Sequence, residues 1–168
     1  MDEPLRGIEA EIPALRRYAR FLLRDPEAAD DLVQDTLLRA VSRIYLWRPG
    51  NLRGWLFTIL RNLDLNRRRD ASRRPTLVPL DDANEPRTGG EQVNRVEVAE
   101  ALAAFRRLSE EQREVMFLVV VEGLRYREAA ELLGVQVGTV MSRLARARER
   151  LRQLVEEPED RPRLRRVK

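Results

Sequence analysis

Arginine is the residue type best placed to do chemistry in this chain. Residues 137–154, VGTVMSRLARARERLRQL, carry Arg143, Arg146, Arg148, Arg150 and Arg152. In the same stretch Val140, Leu144, Ala147, Leu151 and Leu154 recur at spacings of 4, 3, 4 and 3, one apolar stripe on a helix. The opposite face begins with Gly138, Thr139, Ser142 and Arg143 and continues through Ala145 and Arg146. Small side chains let a helix backbone sit deep in a groove, and arginines beside them reach base edges or phosphates. The competing reading is a solvated arginine-rich helix. Of the 32 basic residues only Lys168 is a lysine, and a planar guanidinium suits phosphates and base edges better than an ammonium. A GC-rich genome would give the same bias without any function.

Other chemistries are excluded by type. With no cysteine there is no disulfide, thiolate metal site or thiol switch. With no histidine the commonest general base and metal ligand is gone. No glycine-rich phosphate cradle and no carboxylate pair in an apolar pocket is visible. The expectation is a non-enzyme with no cofactor and no metal.

A second patterned face lies near the N-terminus. Ala29, Leu32, Val33, Thr36, Leu37, Ala40 and Ile44 form a dense inward stripe. Away from it lie Glu27, Asp31, Gln34, Asp35, Leu38, Ser42 and Tyr45. Acids near a helix N-terminus favour its dipole, and such a face can be plain solvated surface. Leu38 and Tyr45 among the acids point instead to docking.

The elements that must position these faces are helical throughout. Charged residues make up 36% of the chain's 168 residues and hydrophobic ones 43%, which fits two small helical units better than one large core. Ile8, Ile12, Leu15, Ala19 and Leu22 mark a first helix. Asp25-Pro26 stops it, with Asp to cap and Pro to open the next helix. WRPGN (47–51) breaks the second helix, and Leu52, Trp55, Leu56, Ile59, Leu60 and Leu63 form a third. That helix carries Arg61, Asn62, Asn66 and Arg67–Arg69, cations and amides suited to single-stranded DNA. Core is the expected role of Trp55, and Arg73 and Arg74 suit solvated tether equally well. Residues 74–94, RPTLVPLDDANEPRTGGEQVN, hold no sustained period and read as a flexible tether.

Helical pattern returns at about Val96. Ser109 and Gln112 form a capping-box signature opening a helix that Gly123 ends. Residues 125–133 follow, with Gly134 placed to cap them. A short helix, a glycine turn and a longer helix over 125–154 suit a helix-turn-helix. The N-terminal stretch has no signal-peptide pattern, and no apolar run approaches the ~20 residues of a membrane span. A cytoplasmic, soluble monomer is expected.

Three stretches resemble extracytoplasmic-function (ECF) sigma factors of bacterial RNA polymerase. LSEEQREVMFLVVVEGLRYREAAELLGVQVGTVMSRLARARERLR (108–152) is similar to their region 4, and DDLVQDTLLRAV (30–41) and NLRGWLFTILRNLDLNRRR (51–69) to the two halves of their region 2. Response regulators share the helix-turn-helix, so the ordered pair carries the specificity. LWRPGNLRGWLFTILRN and GTVMSRL look most like the subgroup running the alphaproteobacterial general stress response. The family usually has Ser or Thr where Arg125 stands, and often Lys where Met141 stands. The second departure puts a phosphate contact in doubt.

The resemblance implies an all-α, two-domain chain: a region 2 bundle over 8–73, a linker over 74–94, a region 4 helix-turn-helix over 95–155 and a basic tail over 156–168. It implies core-polymerase docking through Asp30, Asp31, Gln34, Asp35 and Leu38. It implies −10 element contacts from Trp47, Arg48, Asn51, Arg61, Asn62, Asn66 and Arg67. For Trp47, filling the core under the loop stands equally beside capture of a flipped base. It implies −35 element contacts from Gly138, Thr139, Ser142, Arg143, Arg146 and Arg148. The expected partners are core RNA polymerase, promoter DNA and a separate anti-sigma protein. A mimic that sequesters an anti-sigma factor is the alternative; mimics in the subgroup carry a receiver domain, for which these residues leave no room. A stand-alone repressor or activator fits the acidic docking face poorly.

Overall fold

The computed structural model describes residues 3–48, 50–72 and 92–156. Among them every regular element is helical, and the chain divides into two compact units, residues 1–86 and 87–168. The expected tether falls outside the described residues over 74–91, as does the expected tail over 157–168.

The first unit is a three-helix bundle of α1 (Glu3–Leu22), α2 (Pro26–Ser42) and α3 (Leu52–Ser72). The α1–α2 turn forms as the sequence implies. Asp25 caps α2, its Oδ1 accepting from the Glu27 N–H at 3.0 Å, and Pro26 opens the helix. Leu15, Tyr18 and Ala19 of α1 meet Leu32 and Ala40 of α2 and Leu56, Phe57 and Leu60 of α3 in a dry core. Tyr18 and Phe57 pack with ring centroids 4.8 Å apart. Thr36 is fully buried because its hydroxyl donates to the Leu32 carbonyl at 2.7 Å, leaving no donor orphaned.

Three details differ from the sequence expectation. The second helix ends at Ser42 and a tight turn follows over Ile44–Leu46, so Ile44 is half-buried off the helix. Trp55, expected in the core, is half-buried, and the fully buried aromatic of α3 is Phe57. Asp64, between Leu63 and Leu65, is buried although it is charged. Its Oδ2 meets Arg68 Nε at 2.8 Å, and Arg68 Nη2 in turn donates to the Leu22 carbonyl at the end of α1 at 3.4 Å. A buried carboxylate survives here because a cation is held against it.

The second unit runs α4 (Gln92–Arg106), α5 (Glu110–Met116), a π-helical turn over Phe117–Val121, α6 (Tyr126–Leu133) and α7 (Val137–Glu156). Helix α4 begins at Gln92, so residues 92–94 are helix rather than tether. Ser109 closes the expected capping box: the Gln112 N–H donates to Ser109 Oγ at 3.3 Å and the Ser109 N–H to Gln112 Oε1 at 3.2 Å. The helix it opens does not run regularly to Gly123. Seven consecutive apolar residues, Val115–Val121, cannot all face inward at helical spacing. The wider turn, with Glu122 N–H donating to the Phe117 carbonyl at 3.0 Å, buries Phe117 and Leu118 and leaves Val120 and Val121 exposed.

Gly134 caps α6 in the left-handed conformation, φ +67°, as its position implies. At the other end of α6 a guanidinium offers no acceptor, so Arg125 supplies only a backbone N–H, which donates to Glu128 Oε2 at 2.7 Å. Val140, Leu144, Ala147 and Leu154 of the α7 stripe are all buried.

Candidate nucleic-acid and partner interfaces

Helix α7 presents the small-residue face as the sequence implies. Gly138 and Ser142 are exposed and Thr139 is half-buried. A Cβ added at Gly138 would meet nothing within 4 Å, so nothing inside this unit requires a glycine there. The space beside it is open to whatever the helix approaches. A shallow cavity of about 760 Å3 adjoins it in the turn, lined by Arg127, Glu131, Gly134, Gln136 and Thr139 among others.

The five arginines of α7 separate by what holds them. Arg143 is drawn inward: its Nη2 meets Glu111 Oε1 of α5 at 2.7 Å and its side chain is only 20% exposed. Arg146 lies along the outer face, donating from Nε to the Ser142 carbonyl at 3.3 Å and from Nη2 to Ser142 Oγ at 3.2 Å. Arg152 pairs with Glu149 at 2.8 Å. Hydrogen bonds from Arg152 and then Gln153 hold the Glu149 carboxyl below the usual carboxylate range. Arg150 reaches Gln153 at 3.5 Å. Arg148 is exposed. Arg143 and Arg146 flank the small face from opposite sides of a division that a helical wheel does not show.

On α2, Asp31, Gln34 and Asp35 are exposed and Asp30 is half-buried. Leu38 is 71% exposed and Tyr45 77%. Val41 and Leu46, also exposed, extend the apolar strip. Val41, three residues after Leu38, was open to sequence reasoning. Leu46 was not, because only the tight turn after Ser42 carries it outward. Two of the acids are shared with neighbouring helices. Asp30 Oδ1 lies 3.9 Å from Arg16 Nε of α1. Asp35 Oδ2 accepts from Arg67 Nη2 of α3 at 2.7 Å, and Arg67 Nη1 also donates to the Ala28 carbonyl at 3.4 Å.

The residues expected at the −10 element are distributed as follows. Arg48 is exposed. Trp47 is half-buried, and its indole N–H is buried without a hydrogen-bond partner among the described residues. Asn51 caps α3, its Oδ1 accepting from the Gly54 N–H at 3.0 Å. A Cβ on Gly54 would lie 2.9 Å from the Asn51 amide, so Gly54 permits that cap. Arg61 is half-buried. Asn62 and Asn66 are exposed and lie together in a groove between α2 and α3, while Arg67 is occupied with Asp35 and Ala28. Arg69, read from the sequence with Arg67 and Arg68 as suited to single-stranded DNA, lines the same groove, as do Arg39 and Arg43, which were not singled out. Arg39 lies on α2 and Arg43 just past its end, so no single helix face brings them together in the sequence.

A helical bundle with an exposed acidic–apolar strip, followed by a helix-turn-helix with an open small-residue face, fits a sigma-type transcription factor. Residues 8–61 match the sigma2 domain of PhyR, and residues 99–151 match sigma-70 region 4. The ECF RNA polymerase sigma factor EcfG of Rhodopseudomonas palustris is 42% identical over 152 residues, covering 88% of this chain and 82% of that protein. SigM of Mycobacterium tuberculosis, another ECF sigma factor, is 38% identical, covering 84% and 71%. The sigma factor RpoE of Bartonella quintana, solved in complex with the anti-sigma factor NepR, is 32% identical. It superposes with a TM-score of 0.77 over 93% of this chain and 98% of that one. The chain belongs to the ECF RNA polymerase sigma factors. Proteins of this family are transcription initiation factors, not enzymes. No helix among the described residues is long and apolar enough to cross a membrane.

Proposed function

We propose that this chain acts in the cytoplasm as the promoter-specificity subunit of RNA polymerase in a stress response. The Asp31–Leu38 face of α2, extended by Val41, Tyr45 and Leu46, docks on core polymerase. The loop around Trp47 and the Asn62/Asn66 side of α3 engage the −10 element. The N-terminal half of α7 engages the −35 element, with Arg146 reaching base edges or phosphates there. The observation that carries the reading is the strong exposure of Leu38 among the carboxylates of α2 and of Tyr45 in the turn that follows it. Isolated solvated helices do not expose large apolar side chains in a row.

Regulation by a NepR-like anti-sigma protein follows from the likeness to the NepR-bound sigma factor. A second reading is carried by the match of residues 8–61 to the sigma2 domain of PhyR. A sigma mimic would keep the docking face and occupy an anti-sigma factor without initiating transcription. Run-off transcription with core polymerase on a promoter library separates the two. The sigma reading expects defined transcripts that an added NepR-type protein suppresses. No transcript from any template, with NepR-type binding intact, would make the chain a mimic.

A further inference from the structure

Helix α7 carries one exposed side chain that neither the core nor the arginines explain. Met141 is 52% exposed. Among the described residues the other large apolar side chain of α7 left exposed, Val155, lies near the helix's far end. At roughly 100° per residue, Met141 falls on one shoulder of the small face and Arg146 on the other. Gly138, Ser142 and Ala145 lie between them, and all five are exposed. The Met141 side chain does not fold back over Gly138, because a Cβ placed there meets nothing within 4 Å. Ala145, one turn further on, is too short to cover it. The thioether stands free on the open face.

No charge surrounds it on the N-terminal side. Residues 137–142 are Val, Gly, Thr, Val, Met and Ser. Arg143, the first cation of α7, turns inward to Glu111. Arg146 is the first that stays on the outer face, held along it by Ser142. A helix-turn-helix brings the N-terminal residues of this helix to base edges. Here they offer no guanidinium or ammonium for a phosphate or a guanine. They offer one polarisable, unbranched apolar side chain that adapts to the surface it meets. In the major groove the apolar group that marks a base pair is the thymine C5 methyl, and the other marks are hydrogen-bond donors and acceptors. Pressed against a donor or acceptor, a methionine would strip it of water and give no hydrogen bond in return. Against a methyl group it loses nothing of that kind.

We propose that Met141 determines specificity at one position of the −35 element by packing against the C5 methyl of a thymine in the major groove. This deepens the reading of α7 as the −35 helix and rests on it. The contact is short-range and uncharged, so it favours a T·A pair at one step and adds nothing to affinity for DNA in general. Charge comes from Arg146 on the opposite shoulder.

The test uses holoenzyme reconstituted from the full chain and core polymerase. The probes are linear duplexes carrying the upstream block that wild type enriches from a randomised promoter library. Each thymine of that block, on either strand, is replaced singly by deoxyuridine, which removes the methyl and keeps every hydrogen-bonding group. Wild type should bind about fourfold more weakly at one such position, the worth of one buried methyl group. M141A should bind the unmodified duplex more weakly and lose the response to deoxyuridine there. M141L, apolar and of similar volume, should keep that response. M141K should lose it, yet bind consensus and scrambled duplexes more tightly, with a log–log salt slope steeper by ~0.9 from one added phosphate contact. Helical circular dichroism and melting, read in parallel, should match wild type, since residue 141 is outside the core. Wild type indifferent to every deoxyuridine overturns the proposal, as does a response that M141A retains in full. So does an M141A loss that is equal on consensus and scrambled duplexes, or an upstream block made of G·C pairs alone. An M141K slope equal to wild type places residue 141 away from the duplex and overturns it too. Wild-type holoenzyme that enriches no upstream block overturns the −35 reading of α7 itself, a result seen before any variant is made.

Discussion

The two candidate DNA-binding surfaces are built on different plans. In the second unit the reading face belongs to a single helix, α7. Its shape comes from small residues, Gly138 with no side chain and Ser142 with a short one, and its main arginine, Arg146, rests on its own helix through Ser142. In the first unit the surface is composite. Asp35 of α2 holds Arg67 of α3, Arg16 of α1 approaches Asp30 of α2, and a groove collects arginines from two helices. A one-helix face survives substitution as a fold and fails as a contact. A composite face couples docking, DNA contact and packing, so one substitution registers in several measurements.

The sharpest break of that comparison is at α2. An Asp31→Arg, Asp35→Arg variant should lose stable co-elution with core polymerase, because two carboxylates become cations on the docking strip. It should retain its helical circular dichroism. Its melting temperature should fall slightly, since an exposed pair such as Asp35–Arg67 contributes ~0.2–1 kcal/mol. Normal co-elution would make the face solvated surface.

Next in size is Arg146→Ala. A base contact is worth ~1–3 kcal/mol of discrimination, so binding to consensus −35 duplex should weaken far more than binding to scrambled duplex, with unfolding unchanged. Equal weakening on both would reduce Arg146 to a phosphate contact. Arg143→Ala should behave differently, because its partner is Glu111. It should lower the stability of the second unit by up to about 1 kcal/mol, and Glu111→Gln should reproduce that loss. A sequence-specific binding defect in Arg143→Ala without any loss of stability would show that the Glu111 pair opens on DNA.

These contrasts follow what was legible in the sequence. The α7 stripe, its small outward face, the Asp25–Pro26 turn, the Ser109 capping box and the Gly134 cap were all readable, because each depends on residues within about one helical turn. The inward pull on Arg143 was not, since Glu111 lies 32 positions earlier and a wheel of one helix cannot show it. The Asp35–Arg67 pair and the Arg39/Arg43/Arg69 groove were hidden for the same reason. The π-helical turn was missed because a run of seven apolar residues, Val115–Val121, fits a helix or a distorted turn equally well until its packing partners are known. The fold class and the order of the two units needed only periodicity and the motifs; the composition of each surface needed the tertiary contacts.

The smallest expected effect has opposite signs in two measurements. Gly138→Ala fills open space on a helix, so it should raise the free protein's stability by up to ~0.5–1 kcal/mol. It should also weaken −35 binding by crowding the approach of the α7 backbone. Gain in both would mean the small face does not sit in a groove.

The most direct test of the account is selection of transcribed promoters from a randomised library by reconstituted holoenzyme, sequenced for wild type, Arg146→Ala and Asn62→Ala/Asn66→Ala. Wild type should enrich two separate blocks of sequence. Arg146→Ala should erase preference only in the upstream block, and the asparagine variant only in the downstream block. A single enriched block, or variants that erode both blocks together, would contradict the assignment of one DNA element to each unit.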